Sequence, residues 1–269
     1  MFVNDKNTIG VNMLKNVKPL IAISALALIT ACGGGGGGGG ATDSGYTGPS
    51  PTFNLQAAWN TYFQTNSTKN YAITGNVNGT NVGGNGITII DFTQPVSVLI
   101  IDPASPFPGP SINLTNVGKV TIANNATIVA NGSQSIISSS TEIYAESNGT
   151  FKMIKDMDEN EQTIVTAFTG LPTQATSGGG GVFYSGTVFS SLGYTCGTEI
   201  ATYSIAAESS SALIVTITTS QNTTNKAINN CTTQTFTSQS KYRLTASSFA
   251  PVSEAGSGST ATGSLTLTY

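Results

Sequence analysis

Leu213-Ile214-Val215-Thr216-Ile217-Thr218 is the stretch that decides the fold. Leu213, Val215 and Ile217 alternate with Ile214, Thr216 and Thr218, which is the period of two that a strand half-buried against a core requires. The same period runs outward in both directions. Tyr71, Ile73 and Val77 share one parity; Gly86–Phe92 (GITIIDF) and Val96–Ile101 (VSVLII) are β-branched runs; 120–122, 127–129, 143–145 and 202–207 continue the series; Leu265, Leu267 and Tyr269 end it. Threonine suits the half-exposed face of a strand, so its abundance is structural. Asn78-Gly79, Asn131-Gly132 and Asn148-Gly149 read as tight hairpins, because both residues of the pair tolerate positive φ. The Gly83-Gly84-Asn85-Gly86 cluster reads as a further turn. Runs of this length between such turns predict an antiparallel all-β fold, a sandwich or a barrel-like sheet.

One helix stands apart. Leu55, Ala58, Trp59, Tyr62 and Phe63 fall at i, i+3, i+4, i+7 and i+8, an apolar stripe at helical period, with Asn54 placed to cap it. A short helix over about 54–64, packed on the sheet, is expected, with Trp59 as a core anchor. Leu171-Pro172-Thr173 and Gly178–Gly181 punctuate the β region. The domain 51–269 is therefore either two lobes, 51–170 and 182–269, or one continuous sheet system with a long connection.

Composition narrows function. Charged residues are 9% of the 269, against roughly 25% in an ordinary domain. Ten Lys and Arg give no footprint for nucleic acid. Histidine is absent, which excludes a His-dependent triad and a His-containing zinc site. No cofactor motif is present: the glycine run lacks the Lys-Ser/Thr and helix that a phosphate loop needs.

The N-terminus carries an address. Lys15 and Lys18 precede Leu20–Ile29 (LIAISALALI), an apolar run half as long as the roughly twenty residues a membrane-spanning helix needs. Met13 offers a second start that would tighten the basic region. The run ends in Ile29-Thr30-Ala31-Cys32. This resembles the lipobox of bacterial lipoproteins. The resemblance implies a signal peptide over 1–31, cleavage after Ala31, a diacylglyceryl group on the Cys32 thiol, and, with Gly33 next, the outer membrane as destination. Several acyl chains on one residue hold a protein where a single chain would not. Gly33–Gly40 is an unbroken glycine octet, and 32–50 reads as a flexible tether with a root-mean-square reach of roughly 25 Å. Gly-rich tethers of this kind occur on surface-displayed lipoproteins, but one serves equally well facing the periplasm.

Cys196 and Cys231 are the remaining thiols. In an oxidising compartment they are expected to pair, closing a loop of about 35 residues, with a contribution near 4 kcal/mol from loop entropy. Asp156, Asp158 and Asn160 match the first ligands of a D-x-D-x-N calcium loop, but Glu161 stands where glycine belongs and Ala167 where a bidentate Glu belongs. A solvated acidic loop is the better reading. Ser238-Gln239-Ser240-Lys241 has the S-x-x-K spacing of a serine nucleophile, but its surroundings read as a strand. Asp91, Asp102, Glu142 and Glu146 are available as a glycosidase-like carboxylate pair, whose separation sequence cannot give. GSLTLTY (263–269) resembles the terminal strand of outer-membrane barrels, although the long alternating strands such a barrel needs are not convincing elsewhere.

SSSTEIYAE (138–146), GLPTQA (170–175), KYRLTASSFAPVS (241–253) and GSLTLTY resemble segments of a group of proteobacterial outer-membrane lipoproteins. That resemblance implies a place and no chemistry. The sequence thus leads to a lipid-anchored, β-rich, non-catalytic envelope protein with a structural or binding role, held to the membrane by its N-terminal lipid. Two alternatives stand beside it: a carboxylate-dependent enzyme acting on envelope glycans, and a surface receptor for a host or metal-carrying protein.

Overall fold

The computed structural model describes residues 46–101, 111–146, 151–157, 161–190, 192–224, 231, 234–258 and 261–269. A two-residue strand β1 (Phe53–Asn54) leads into helix α1 (Leu55–Phe63). There follow β2 (Ser67–Val77), β3 (Thr80–Ile101), β4 (Ser111–Ala130), β5 (Ser133–Glu146), β6 (Lys152–Met157), β7 (Glu161–Phe168) and β8 (Gln174–Ala175). The chain continues through β9 (Gly180–Ser190), β10 (Thr195–Ser209), β11 (Ala212–Thr223), β12 (Gln234–Leu244), β13 (Phe249–Gly258) and β14 (Ala261–Thr268).

Twelve of these strands, all but β1 and β8, form a closed antiparallel barrel in chain order, sealed where β14 pairs with β2. Of sandwich and barrel, the chain forms the barrel. The strands on either side of residues 171–181 pair directly, β7 with β9, so a single sheet runs through that punctuation. The alternation read from 213–218 sets the wall. Leu213, Val215 and Ile217 face inward opposite Leu244, Tyr242 and Ser240, while Thr216 and Thr218 face outward opposite Lys241 and Gln239.

Two of the Asn-Gly hairpins have the expected geometry. Asn78 and Gly79 sit at φ 51° and 79°, and Asn131 and Gly132 at 49° and 75°. That is the pair of positive angles a two-residue turn matched to strand twist requires. Asn148-Gly149 lies outside the described residues. The Gly83–Gly86 cluster is no turn: it lies within β3, paired on both sides. A Cβ on Gly84 would collide with the Thr127 carbonyl oxygen, and one on Gly86 would stand 2.5 Å from the Tyr71 ring. Glycine is present there because the backbone and an inward tyrosine approach too closely for any side chain. The two runs read at 86–92 and 96–101 belong to this same strand. Register shifts between Thr93 and Val98 turn its outer half, so that Val98 packs with Val117 and Tyr144 on the outside of the wall.

Helix α1 occupies one end of the barrel. Asn54 caps it, its Oδ1 accepting from Ala57 N at 2.9 Å. Leu55, Trp59, Tyr62 and Phe63 are buried in one apolar cluster with residues from much of the wall: Ile90 of β3, Ile122 of β4, Ile143 of β5, Phe183 of β9, Val215 of β11 and Tyr242 of β12. Trp59 meets Phe183 edge-on at 5.3 Å and Tyr242 at 5.9 Å. The helix therefore fills the barrel and does not lie on an outer face. Leu171, Ala175 and the β1–β8 pairing brace its N-terminal side, with Leu55 N donating to Thr173 O at 3.2 Å. The disulfide lies at the opposite end, where the β9–β10 and β11–β12 connections meet. Cys196 and Cys231 are bonded with Cα atoms 5.3 Å apart, as the compartment argument expected.

Burial of each large apolar side chain of α1 is worth about 1.5–3 kcal/mol, and truncating a core tryptophan adds a cavity cost. Trp59→Ala should lower the urea unfolding free energy by about 3–5 kcal/mol, whereas Thr61→Ala on the exposed face should stay within about 0.5 kcal/mol. Cys196→Ser together with Cys231→Ser should cost about 2–4 kcal/mol in the same assay, the entropy of a loop of 35 residues less any strain.

Candidate functional site

A cleft of about 610 Å³ opens at the α1 end of the barrel. One wall is the outer face of α1, including Ala57 and Thr61; the second is the end of β12, the β12–β13 turn and the start of β13, from Leu244 to Ala250; Ser67 and Lys69 of β2 close it. The turn wall is held by its own polar groups. Thr245 N donates to Ser248 O at 2.9 Å, and Thr245 Oγ1 accepts from Ser248 N at 3.0 Å. Phe249 is stacked on Tyr242 with ring centroids 4.9 Å apart and stands 5.7 Å from Tyr62, so the floor is aromatic and tied to the core. Lys69 is set opposite Thr88 in the inward row that Ser67 and Tyr71 share. Among the described residues it is the one charged side chain lining the cleft, and no carboxylate does so.

Beneath this floor lies Glu254 of β13, 1% exposed. It faces inward between Ser240 and Leu267. Its Oε1 accepts from the Tyr269 hydroxyl at 3.0 Å, while Oε2 has no hydrogen-bond partner among the described residues. Tyr269 also lies 3.2 Å from Thr88 Oγ1, which donates to Asn124 Oδ1 at 2.6 Å. A polar relay thus joins β13, β14, β3 and β4 across the closing seam. Burial pushes the Glu254 carboxyl up to about 8, with the Tyr269 hydrogen bond acting in the opposite direction. Burial, reinforced by Glu254, pushes the Tyr71 phenol up to about 12 and raises Tyr62 in the same direction.

The remaining acids divide between wall and interior. Glu142 faces outward, its Oε1 accepting from Lys119 at 2.8 Å and its Oε2 from Tyr144 at 2.6 Å. Glu146 pairs with Lys152 at 2.8 Å, and Asp91 is exposed. Three of the four carboxylates noted from sequence are therefore spread over the outer wall, and Asp102 lies outside the described residues. Glu199, which the sequence reading passed over, is fully buried, accepting from Tyr184 at 2.6 Å. Glu161 accepts from Gln221 at 2.8 Å.

Asp156 does not sit in a solvated loop. It is paired within β6, opposite Ile143 and Thr163, and is 1% exposed. Its calcium-loop companions Asp158 and Asn160 lie outside the described residues, as does Cys32. Among the described residues no group of three Asp, Glu or Cys side chains is placed to hold a metal ion. Ser238 and Lys241 lie on β12 three residues apart, hence on opposite faces: Ser238 points inward and Lys241 outward. The S-x-x-K spacing brings no lysine to that serine.

Glu199 and Glu254 were legible in principle. Glu199 shares parity with Ala201, Ile205 and Ala207, and Glu254 sits one strand position out of step with the exposed wall, so each is a carboxyl on an inward row. No protein-family model, curated protein or solved structure matches this chain.

The Glu254 carboxyl gives a signed pH dependence. Its folded value, near 8, lies above the ordinary 4.5, so the folded state holds a proton the unfolded chain releases. Its contribution is whole below about 4.5 and declines as pH rises to about 8, by about 1.4 kcal/mol per pH unit for one proton, then levels off. Glu254→Gln lacks that slope. Urea midpoints at several pH values should show the variant gaining on the parent steadily as pH rises through this window; parallel pH profiles would refute the assignment.

Proposed function

We propose that this chain is a lipid-anchored bacterial envelope lipoprotein with a non-catalytic binding role, tethered through Cys32 and engaging its ligand at the α1 end of the barrel. The observation that carries the reading is where the chain enters. Residues 46–54 run to the α1 end: Ser177 N donates to Ser50 Oγ at 3.1 Å, and Phe53 pairs with Ala175. A cleft floored by Phe249 and Tyr62 opens at this same end. A tether arriving there would keep the cleft within roughly 25 Å of the headgroups.

The outward rows of β2 and β11 favour an aqueous setting. Thr68, Asn70, Thr74 and Asn76 face outward on β2, and Thr216, Thr218, Ser220 and Asn222 on β11. A barrel crossing a bilayer shows lipid an apolar band instead. The glycan-enzyme alternative draws no support from the cleft, since a carboxylate pair is what it requires and none lines it. The interior acids, Glu199 and Glu254, are closed off by the wall.

Fractionation tests the reading. The parent protein should sediment with outer membranes at the processed size. Cys32→Ser should leave the membrane fraction and run at the larger, unprocessed size. A Cys32→Ser chain that still sediments at the parental processed size would overturn it.

A further inference from the structure

The wall of the barrel is not paired equally all round. β5 lies against β4 without interruption from Ser133 to Glu146, a ladder with no bulge. On its other side, β6 pairs only with the stretch from Glu142 to Glu146. Along residues 133–141 no strand stands beside β5 on that side among the described residues, and no backbone bond runs from them to a loop there. The N–H and C=O groups of a strand point to its two sides in alternation, so this stretch is a template for a further strand. Edges that stay single are blunted by lysine, proline or a bulge. Residues 133–141 (SQSIISSST) carry no charge, no proline and no glycine. They do carry Ile136, which at 76% is the most exposed large apolar side chain among the described residues, while Ile137 beside it is buried. On β4, Val129 lies opposite Gln134 and is exposed on the same outer face. An open backbone edge and an outward isoleucine thus occur together.

We propose that residues 133–141 of β5 pair antiparallel with the same residues of a second copy of this chain, forming a two-fold dimer whose sheet runs from one barrel into the other. The edge itself fixes what fits. The groups it offers are backbone groups in the plane of the sheet, so the occupant is an extended strand. An uncharged edge meets itself without repulsion, and a two-fold pairing sets one patch against its own copy. Residues opposed across an antiparallel pair share a face, so a two-fold through Ile136 sets that residue opposite itself and Gln134 opposite Ser138. The two isoleucines then leave water together, their Cβ atoms about 4.5–5.5 Å apart. The paired segment runs to the Asn131-Gly132 turn, at the end of the barrel away from α1, so the cleft stays open. The inference goes beyond the binding reading above and does not rest on it.

The test uses two differently tagged copies of the full chain, co-expressed, extracted in mild detergent and purified through one tag. The second copy should be recovered with the first. Ile136→Lys in both copies opposes like charges and should lower that recovery about tenfold. Ile136→Lys in one copy with Ile136→Glu in the other should restore it. Ile200→Lys, at an exposed apolar position on β10 that is paired on both sides, should change nothing. Ile136→Cys in both copies should give a dimer on non-reducing gels that reductant abolishes, and Ile200→Cys should not. Circular dichroism and the urea midpoint establish that each variant is folded. None of these readouts depends on the lipid at Cys32, so failure here leaves the fractionation result untouched. The proposal is overturned if parent copies are not recovered together, or if folded Ile136→Lys is recovered as the parent is. Failure of the Lys and Glu variants to restore each other, or of Ile136→Cys to form the dimer, would also overturn it. So would loss of a different protein, and not of the second copy, from the Ile136→Lys eluate, which would make the edge a site for an extended segment of that protein.

Discussion

A barrel of twelve strands is wider than its own side chains can fill. Eight strands leave an interior that wall residues just occupy; each added strand enlarges the lumen while adding only one more inward row. The chain answers this with α1, whose Leu55, Trp59, Tyr62 and Phe63 reach residues from nearly every sector of the wall. The helix has nine residues and would be marginal in water, so its stability is that of the packing around it. The dependence is mutual: without α1 the barrel has an unfilled end, and without the barrel α1 has no reason to be helical. The tie is reinforced by side-chain amides that replace missing ladder bonds. Asn60 Oδ1 accepts from Phe151 N at 2.9 Å, joining the helix to the start of β6, and Asn66 Oδ1 accepts from Phe92 N at 2.8 Å, joining the turn after the helix to the middle of β3.

The same width explains the polar interior. Beyond the reach of α1 the inward rows carry Thr88, Asn124, Thr141, Thr219, Gln221 and Ser238, all buried. Thr88 donates to Asn124 on the neighbouring strand and Gln221 to Glu161, while the hydroxyls of Thr141, Thr219 and Ser238 have no partner among the described residues. The low overall charge follows from the same demand, because an inward charge needs a partner or must be neutralised. Glu254 is the instructive exception. It sits on β13, one strand from the β14–β2 closure, and its hydrogen bond from Tyr269 reaches through Thr88 to Asn124. Residues at opposite ends of the chain are thereby joined at the seam on which closure depends.

Much of this was readable as pattern. The alternation at 213–218, the Asn-Gly turns, the stripe of α1 and the cysteine pair each rest on a local rule that nothing in the fold overrides. What was not legible was long-range. The glycines at 83–86 look like a turn in a window of four residues, and only the approach of Tyr71 and the Thr127 carbonyl shows that they are strand. Asp156 looks solvated because its neighbours in sequence are acidic, but its neighbours across the sheet are Ile143 and Thr163. Sandwich and barrel share the same strand pattern, and the decision between them lies in whether β14 finds β2, a pairing across almost the whole length of the chain.

The cleft is a consequence of the plug being smaller than the hole. One short helix packs tightly against β9, β12 and β13 through Trp59, but a single cylinder cannot meet every part of a wide rim, and the gap falls on the side of β2 and the β12–β13 turn. Wherever that gap fell it would be floored by core aromatics, since those are what hold the helix in place. Its chemistry was then set by which inward row of the wall happens to end there. On β2 that row is Ser67, Lys69 and Tyr71, and it leaves one charged residue among the described residues that line the cleft.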